Sequence, residues 1–192
     1  ANGGTGAPSN QTKTYGVSLS LSSQKPTKLG YEFLGWSTTT SVSVPEYASG
    51  DSYTEDKGVT LYAVWRYIPK TYEVSYNANG GGNAPTSQTK TEGITLTLSS
   101  VIPTRYGYSF EGWATSSTAV SASYQPGASY TANVSITLYA VWERTTYTVS
   151  FNANGGSNAP ASQTKTHGQD LILTSAIPTR SNHAFLGWAT DP

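Results

Sequence analysis

The sequence repeats itself, and a chain that repeats at this period folds as copies of one small unit that each bury their own core. Residues 1–13 read ANGGTGAPSNQTK, residues 78–90 ANGGGNAPTSQTK and residues 153–165 ANGGSNAPASQTK, with nine of the thirteen positions the same in all three. Ala1, Ala78 and Ala153 thus open three copies at a nearly constant interval. Pro26, Pro103 and Pro178 follow in step, as do Phe33, Phe110 and Phe185, and Trp36, Trp113 and Trp188, each tryptophan preceded by a glycine. The string Leu61-Tyr62-Ala63-Val64-Trp65 returns as Leu138-Tyr139-Ala140-Val141-Trp142.

The segments TYEVSYN (71–77) and TYTVSFN (146–152) precede the second and third ANGG and have no counterpart before Ala1. Units that begin at this strand are expected at 1–69, without the leading strand; at 70–144, complete; and at 145–192, without the segment that would end in LYAVW. Units that begin at ANGG are an equally legal description. Under either, the stretch 145–192 forms an incomplete domain, too small to bury an adequate core alone. It is expected to be frayed, or held by a neighbouring unit or another chain. The connectors Ile68-Pro69-Lys70 and Arg144-Thr145 are too short for a flexible tether.

Within a unit the local pattern is that of strands and turns. Tyr72, Val74 and Tyr76 alternate with polar residues, and Ile94, Leu96 and Leu98 do the same. The latter correspond to Val17, Leu19 and Leu21 in copy one and to Leu171 and Leu173 in copy three. Residues 77–84 are rich in Gly and Asn, which tolerate the positive φ that a reversal needs. If 103–113 is extended, Tyr108, Phe110 and Gly112 share one face and Trp113 takes the other. Gly112, between large aromatics, would let a ring or another strand approach closely. The closing strand, 136–142, would place Ile136, Leu138, Ala140 and Trp142 on one side, with Tyr139 and Val141 on the other. No long window has helical spacing, although 45–53 and 124–132 leave room for a short helical turn. The expected fold class is mainly β to α+β, with a second layer supplied by aromatic residues, a short helix or a long loop.

Taken together, YTVSFNANGG, the QTKTxG that follows, PTRxGYxFxGW and TLYAVW resemble the Listeria–Bacteroides repeat of bacterial surface proteins and of the B-repeat region of an internalin. The resemblance covers essentially the whole chain in three registers. It implies tandem small β-grasp-like repeat domains, similar to ubiquitin-like folds, lying outside the cell between a functional head and a cell-wall anchor. It also implies a stalk or adhesion accessory without enzymatic activity. The chain departs from the pattern at Asn182-His183, which stands where Gly-Tyr is expected, and in a long Ser-rich region between Trp and LYAVW.

Tests for chemistry return little. The two histidines, His167 and His183, both lie in copy three, and Glu92 and Tyr15 or Tyr31 and Tyr108 occupy their positions elsewhere, so no repeat-borne site uses histidine. The ANGG strings lack the Gly-Lys-Ser/Thr ending of a phosphate loop and read as turn glycines. Glu46, Asp51, Glu55 and Asp56 cluster in copy one, yet copy two has no acid between Glu111 and Glu143, so no shared calcium site is expected. No catalytic residue, metal or cofactor is assigned. Phe33, Trp36, Trp65, Phe110, Trp113, Trp142, Phe185 and Trp188 are expected to form the core. Tyr47, Tyr53, Tyr124 and Tyr130 are the candidate ligand-contact rings. A Lys–Asn cross-link would strengthen a stalk, but Lys13, Lys90 and Lys165 lie in polar QTK segments.

Lys plus Arg equals Asp plus Glu at 11 each, which gives no basic surface for nucleic acid. Without cysteine the fold must rest on packing and sheet hydrogen bonds. The absence of Met and the start at Ala1 read as those of a processed or excised piece, and no apolar run is long enough for membrane insertion of this fragment. Three functions remain. The first is an extracellular spacer, attached to the cell surface through regions outside this fragment. The second is a multivalent module for a host surface protein or glycan. The third is self-association through the incomplete terminal repeats, whose strand edges are open templates.

Overall fold

The structure, a computed structural model, describes residues 1–190. Among them are twelve strands and no helix. The α+β alternative and the β-grasp-like domains expected above are therefore corrected: a β-grasp needs a helix across its sheet, and none is present. The stretches that left room for a helical turn close instead against the aromatic strand beside them. Trp36 N–H donates to Tyr47 O, and Trp113 N–H to Tyr124 O, both at 2.8 Å. Their Gly, Pro and Ser content disfavours a helix, and these backbone bonds give the loops a β-like alternative. The carboxyl-terminal limit of copy three, at 191–192, lies outside the described residues.

The chain divides into two compact units, Ala1–Thr71 with Thr91–Gly93, and Tyr72–Lys90 with Ile94–Pro192. In the first, β1 (Leu19–Ser20) pairs antiparallel with β3 (Ser52–Tyr53), and β2 (Tyr31–Ser37) with β4 (Tyr62–Tyr67). Trp36, Tyr53, Ala63 and Val64 are buried.

The second unit contains copy two, whose strands are β5 (Thr71–Asn77), β6 (Gln88–Thr91), β7 (Leu96–Thr97), β8 (Tyr108–Ala114), β9 (Ser129–Tyr130) and β10 (Ile136–Arg144). The main sheet runs β6-β5-β10-β8. β10 is its keystone: it lies parallel to β5, with Val74 opposite Ile136, and antiparallel to β8, with Trp113 opposite Ala140. The small β7–β9 ladder, Leu96 opposite Tyr130, covers one face. Val74, Leu98, Trp113, Tyr130, Leu138 and Ala140 make the buried core between them. Copy three contributes β11 (Thr146–Val149) and β12 (Gln163–Thr166), an antiparallel pair; residues 184–189 lie in no strand.

One local feature overturns the expected faces of the aromatic strand. On β8 the pairing jumps from Phe110 opposite Trp142 to Gly112 opposite Val141, so Glu111 is an extra residue in the ladder; on β2, Leu34 plays that part. Such a bulge shifts the alternation by one. Phe110 and Trp113 therefore land on the same side, their rings 5.0 Å apart and edge to face. Phe33 and Trp36 repeat the arrangement at 5.0 Å. The glycine follows from this geometry. Gly112 sits at φ +128°, and a Cβ there would meet Tyr124 O at 2.7 Å. The close approach expected of Gly112 is real, and what approaches is the 122–125 segment.

Candidate functional site

The most heavily built feature is the ANGG turn, and what it holds is the tryptophan that ends the closing strand. In copy two, Asn79 takes φ 49°, a left-handed conformation that Asn adopts more readily than other non-glycine residues. Its Nδ2 donates to Ala140 O at 3.0 Å and to Ser117 O at 2.9 Å, tying the turn to β10 and to the Ser-rich loop. Trp142 Nε1 donates to Ala78 O at 2.9 Å. The indole lies over Gly81, where a Cβ would come 2.6 Å from the ring and 2.6 Å from Thr104 O. Only glycine leaves that seat open. Gly82 and Thr104 exchange backbone bonds at 2.8 and 2.9 Å, so these amides are occupied and offer no cradle for a phosphate.

Copy one builds the same grip. Asn2 Nδ2 reaches Ala63 O at 2.9 Å, Trp65 Nε1 reaches Asn2 O at 3.1 Å, and a Cβ on Gly4 would lie 2.6 Å from the Trp65 ring. Phe33, Trp36 and Trp65 pack edge to face around it, as do Phe110, Trp113 and Trp142 in copy two. Trp113 is fully buried, Trp36 is 5% exposed, and Phe33, Phe110, Trp65 and Trp142 are half-buried. In copy three Trp188 is half-buried and Phe185 is 37% exposed.

A second structural site escapes recognition in the sequence. The QTK motif looks like polar surface, yet Lys90 is only 1% exposed, and its Nζ donates to Asn133 Oδ1 at 2.9 Å. In copy one Lys13 Nζ meets Asp56 Oδ1 at 2.6 Å, and Gly16 N–H donates to the same oxygen at 2.9 Å. The Lys13 hydrogen bond holds the Asp56 carboxyl below its ordinary value, with the Gly16 N–H helping. The glutamine of the motif acts as a backbone surrogate. Gln88 Oε1 accepts from Ser99 N at 2.8 Å and from Tyr76 OH at 2.5 Å, while its Nε2 donates to Thr97 O at 3.1 Å. Gln11 and Gln163 make the corresponding backbone bonds. A signal is there to be read: Gln, Thr and Lys stay fixed in all three copies while the residues just before them vary.

The candidate ligand rings are placed less favourably for contact than the loop suggested. Tyr53 and Tyr130 are each 2% exposed, and their hydroxyls donate to Lys57 O and Val134 O. Burial, then the neighbouring Tyr124, pushes the Tyr130 phenol above its ordinary value. Tyr47 and Tyr124 are half-buried and stand edge-on to them at 5.8 and 6.0 Å. The carboxylates of copy one are dispersed among private partners. Glu46 accepts from the Ser37 and Thr38 hydroxyls, which lower its pKa, and Asp51 accepts from Ala48 N–H. No group of three metal-ligating side chains occurs among the described residues. His183 Nδ1 sits 2.7 Å from Ser181 O in a turn, and His167 packs against Tyr106 and Tyr108.

Among the described residues no helix is long and apolar enough to cross a membrane. Two proteins of Evansella cellulosilytica, one named a putative membrane protein and the other a putative Gly-rich membrane protein, are each 32% identical to the chain over 167 residues. That alignment covers 86% of the chain but only 24% and 18% of those proteins. No solved structure matches. The Listeria-Bacteroides repeat domain matches at residues 1–64, 72–141 and 147–192, nearly the full length. The chain thus belongs to the Listeria-Bacteroides repeat family, a family of non-catalytic repeats in bacterial surface-associated proteins, and is itself non-enzymatic.

Proposed function

We propose that the chain is an extracellular spacer in a bacterial surface protein, holding a distal domain away from a cell to which it is attached through other regions. The connector inside the second unit supports this most. β10 ends at Arg144 and β11 begins at Thr146, so Thr145 alone joins the copies. Thr145 N–H donates to Gly107 O at 3.0 Å, and Thr145 O accepts from His167 N–H at 2.9 Å. Arg144 Nη1 adds a bond to His167 O at 3.2 Å. The His167 ring stands edge-on to Tyr106 at 5.0 Å, and a Cβ on Gly107 would come within 2.0 Å of that ring.

The first unit carries the same device. Ile68 N–H donates to Gly30 O at 2.9 Å, Glu92 N–H to Lys70 O at 2.8 Å, and the Tyr67 hydroxyl to the Glu92 carboxylate. A connector bonded on both sides resists bending, which is what a chain of repeats needs to keep length under load.

Two measurements test the reading. Backbone order parameters at Thr145 should match those of β10, about 0.85, whereas a value under about 0.6 would mark a hinge and sink it. The chain should also show no saturable binding when screened against glycans and matrix proteins. Binding that disappears with Tyr47→Ala or Tyr124→Ala would replace the spacer with a recognition module.

A further inference from the structure

We propose that the Asn-Gly bond inside the ANGG turn is a modification site gated by the closing strand: Asn79 cyclises onto Gly80 with loss of ammonia when β10 leaves the turn, and the product does not take the strand back. Asn79 is half-buried, and Gly80 beside it is exposed. Glycine has no side chain to screen its amide nitrogen, so an asparagine that precedes it is open to attack by the backbone itself. The pair stands in the same turn as Asn2-Gly3 in copy one.

The step balances within the chain and water. Gly80 N–H gives up its proton, its nitrogen bonds to Asn79 Cγ, and the Cγ–Nδ2 bond breaks, the proton leaving on ammonia. One water then opens the five-membered imide at either carbonyl, which leaves aspartate or its isomer with the chain running through Cγ. No oxidant or reductant takes part. Ring closure needs the Asn79 side chain to swing Cγ over the following amide nitrogen, an approach that must be reached before the bond forms.

The folded copy brakes that swing. Nδ2, the leaving group, is fixed by Ala140 O at 3.0 Å and by Ser117 O at 2.9 Å. Asn79 N–H donates to Asn77 Oδ1 at 2.8 Å, Arg105 Nη1 reaches Asn79 O at 3.4 Å, and Gly81 N–H closes the turn on Ala78 O at 3.0 Å. Ala140 belongs to β10, and so does Trp142, whose indole closes on the same turn. The brake therefore holds only while that strand is seated. The product then blocks its return. A carboxylate accepts and cannot donate, so aspartate turns its oxygens towards two carbonyls, Ala140 O and Ser117 O. The isomer adds a carbon to the backbone of a turn in which Gly81 has no room even for a Cβ. Copy one holds Asn2 Nδ2 in the same way, on Ala63 O at 2.9 Å and Thr40 O at 3.2 Å. A passing loss of the strand becomes a permanent loss of the copy's grip on it.

The proposal goes beyond the spacer reading and is tested apart from it. The whole 192-residue chain is incubated at mildly alkaline pH in heavy-oxygen water, folded or in a series of urea concentrations, and the tryptic peptide 71–90 is fragmented to place the label. Label at residue 79 should appear about tenfold or more slowly in the folded chain than in the unfolded one, because the reaction draws on the population of the opened form. Across the urea series its rate should rise in step with the loss of amide protection over 136–142. Trp142→Phe keeps a ring but deletes the donor to Ala78 O, so it should speed labelling at Asn79 and leave Asn2 of the same molecule unchanged. Asn79→Asp, which carries the product side chain, should lose protection over 136–142 while β2 and β4 keep theirs. Equal rates in the folded and unfolded chain, no label at residue 79 in either, a rate unrelated to the protection of β10, no change in the Trp142→Phe chain, or full protection of 136–142 in the Asn79→Asp chain would each overturn the proposal.

Discussion

Copies two and three carry nearly the same motifs inside one unit, yet only copy two has a sealed core. The ring triads are closely matched in centroid spacing, at 4.9 and 5.0 Å in one and 4.9 Å for both pairs in the other. Burial does not follow. Leu98 is 1% exposed and its counterpart Leu173 is 48% exposed; Val74 is fully buried and Val149 only partly so. The difference is one strand. β10 supplies Leu138 and Ala140 to the core and places Trp142 in the ANGG turn. Short-range motifs thus set ring geometry and turn shape, whereas exclusion of water waits for a segment that arrives from the far end of the copy. The recurring residues are scaffold for a strand, and the strand converts scaffold into core.

Truncating the central tryptophan in each copy should give the largest contrast. Trp113→Ala removes a fully buried ring and should destabilise copy two by about 3–5 kcal/mol, seen as lost amide protection across 108–144. Trp188→Ala, at a half-buried position, should cost a small part of that. Comparable losses in the two copies would mean that copy three has a sealed core after all.

The bulge glycines repeat the contrast on a smaller scale. Both sit at positive φ, but a Cβ on Gly112 meets Ala122 and Tyr124 O at 2.7 Å while a Cβ on Gly187 meets nothing within 4 Å. Gly112→Ala should therefore cost about 1–3 kcal/mol from backbone strain plus overpacking. Gly187→Ala pays only for the backbone. Chemical denaturation followed by residue-resolved exchange separates the two.

Smaller again is the buried lysine. Lys90→Met keeps the aliphatic stem and deletes the donor to Asn133, for an expected loss of about 1 kcal/mol. Lys165 is half-buried, and among the described residues its nearby acceptors are the backbone carbonyls of Thr166 and Gln169, so Lys165→Met should lose less. An equal loss would mean that the Asn133 contact contributes nothing.

The smallest effect is electrostatic and extends the comparison to copy one. Asp56 is lowered by the Lys13 and Gly16 hydrogen bonds, and Glu46 by the Ser37 and Thr38 hydroxyls. A carboxyl with a depressed folded pKa stabilises fully above its unfolded value, about pH 4, and that contribution drains away as pH falls through the folded value. Copy two has Asn133 and Ser123 at these positions, and neither side chain carries a carboxyl. Amides of copy one should lose protection on acidification earlier than those of copy two. Asp56→Asn with Glu46→Gln should remove the difference, and an unchanged acid response in that double variant would show that other groups cause it.

Much of this architecture is legible in the sequence. Alternation at Tyr72, Val74 and Tyr76 marks β5, and the LYAVW string marks the closing strand, because a period of two is a local property of the backbone. Gly112 is readable as a point of close approach. The face of Trp113 is not, since one bulged residue inverts alternation and a bulge is decided by the partner strand. The helix allowed at 45–53 and 124–132 fails for a related reason: the choice lies with Trp36 and Trp113, which offer those loops a backbone partner from outside the local window. Lys90 escapes because polarity predicts exposure only when no buried acceptor waits for the charge, and Asn133 stands 43 residues away.

The amino acids alone settle the number of copies, the turn at each ANGG and the residue types that would meet, all of which follow from periodicity and from the φ freedom of Gly and Asn. That the described residues of the copies hold no helix, which strand lies between β5 and β8, and which side of the sheet receives the tryptophan are settled only by the folded arrangement. The physical reason is range. Backbone preference acts over a few residues, whereas strand order and burial depend on pairing segments whose contact becomes favourable only after the intervening loop has been closed.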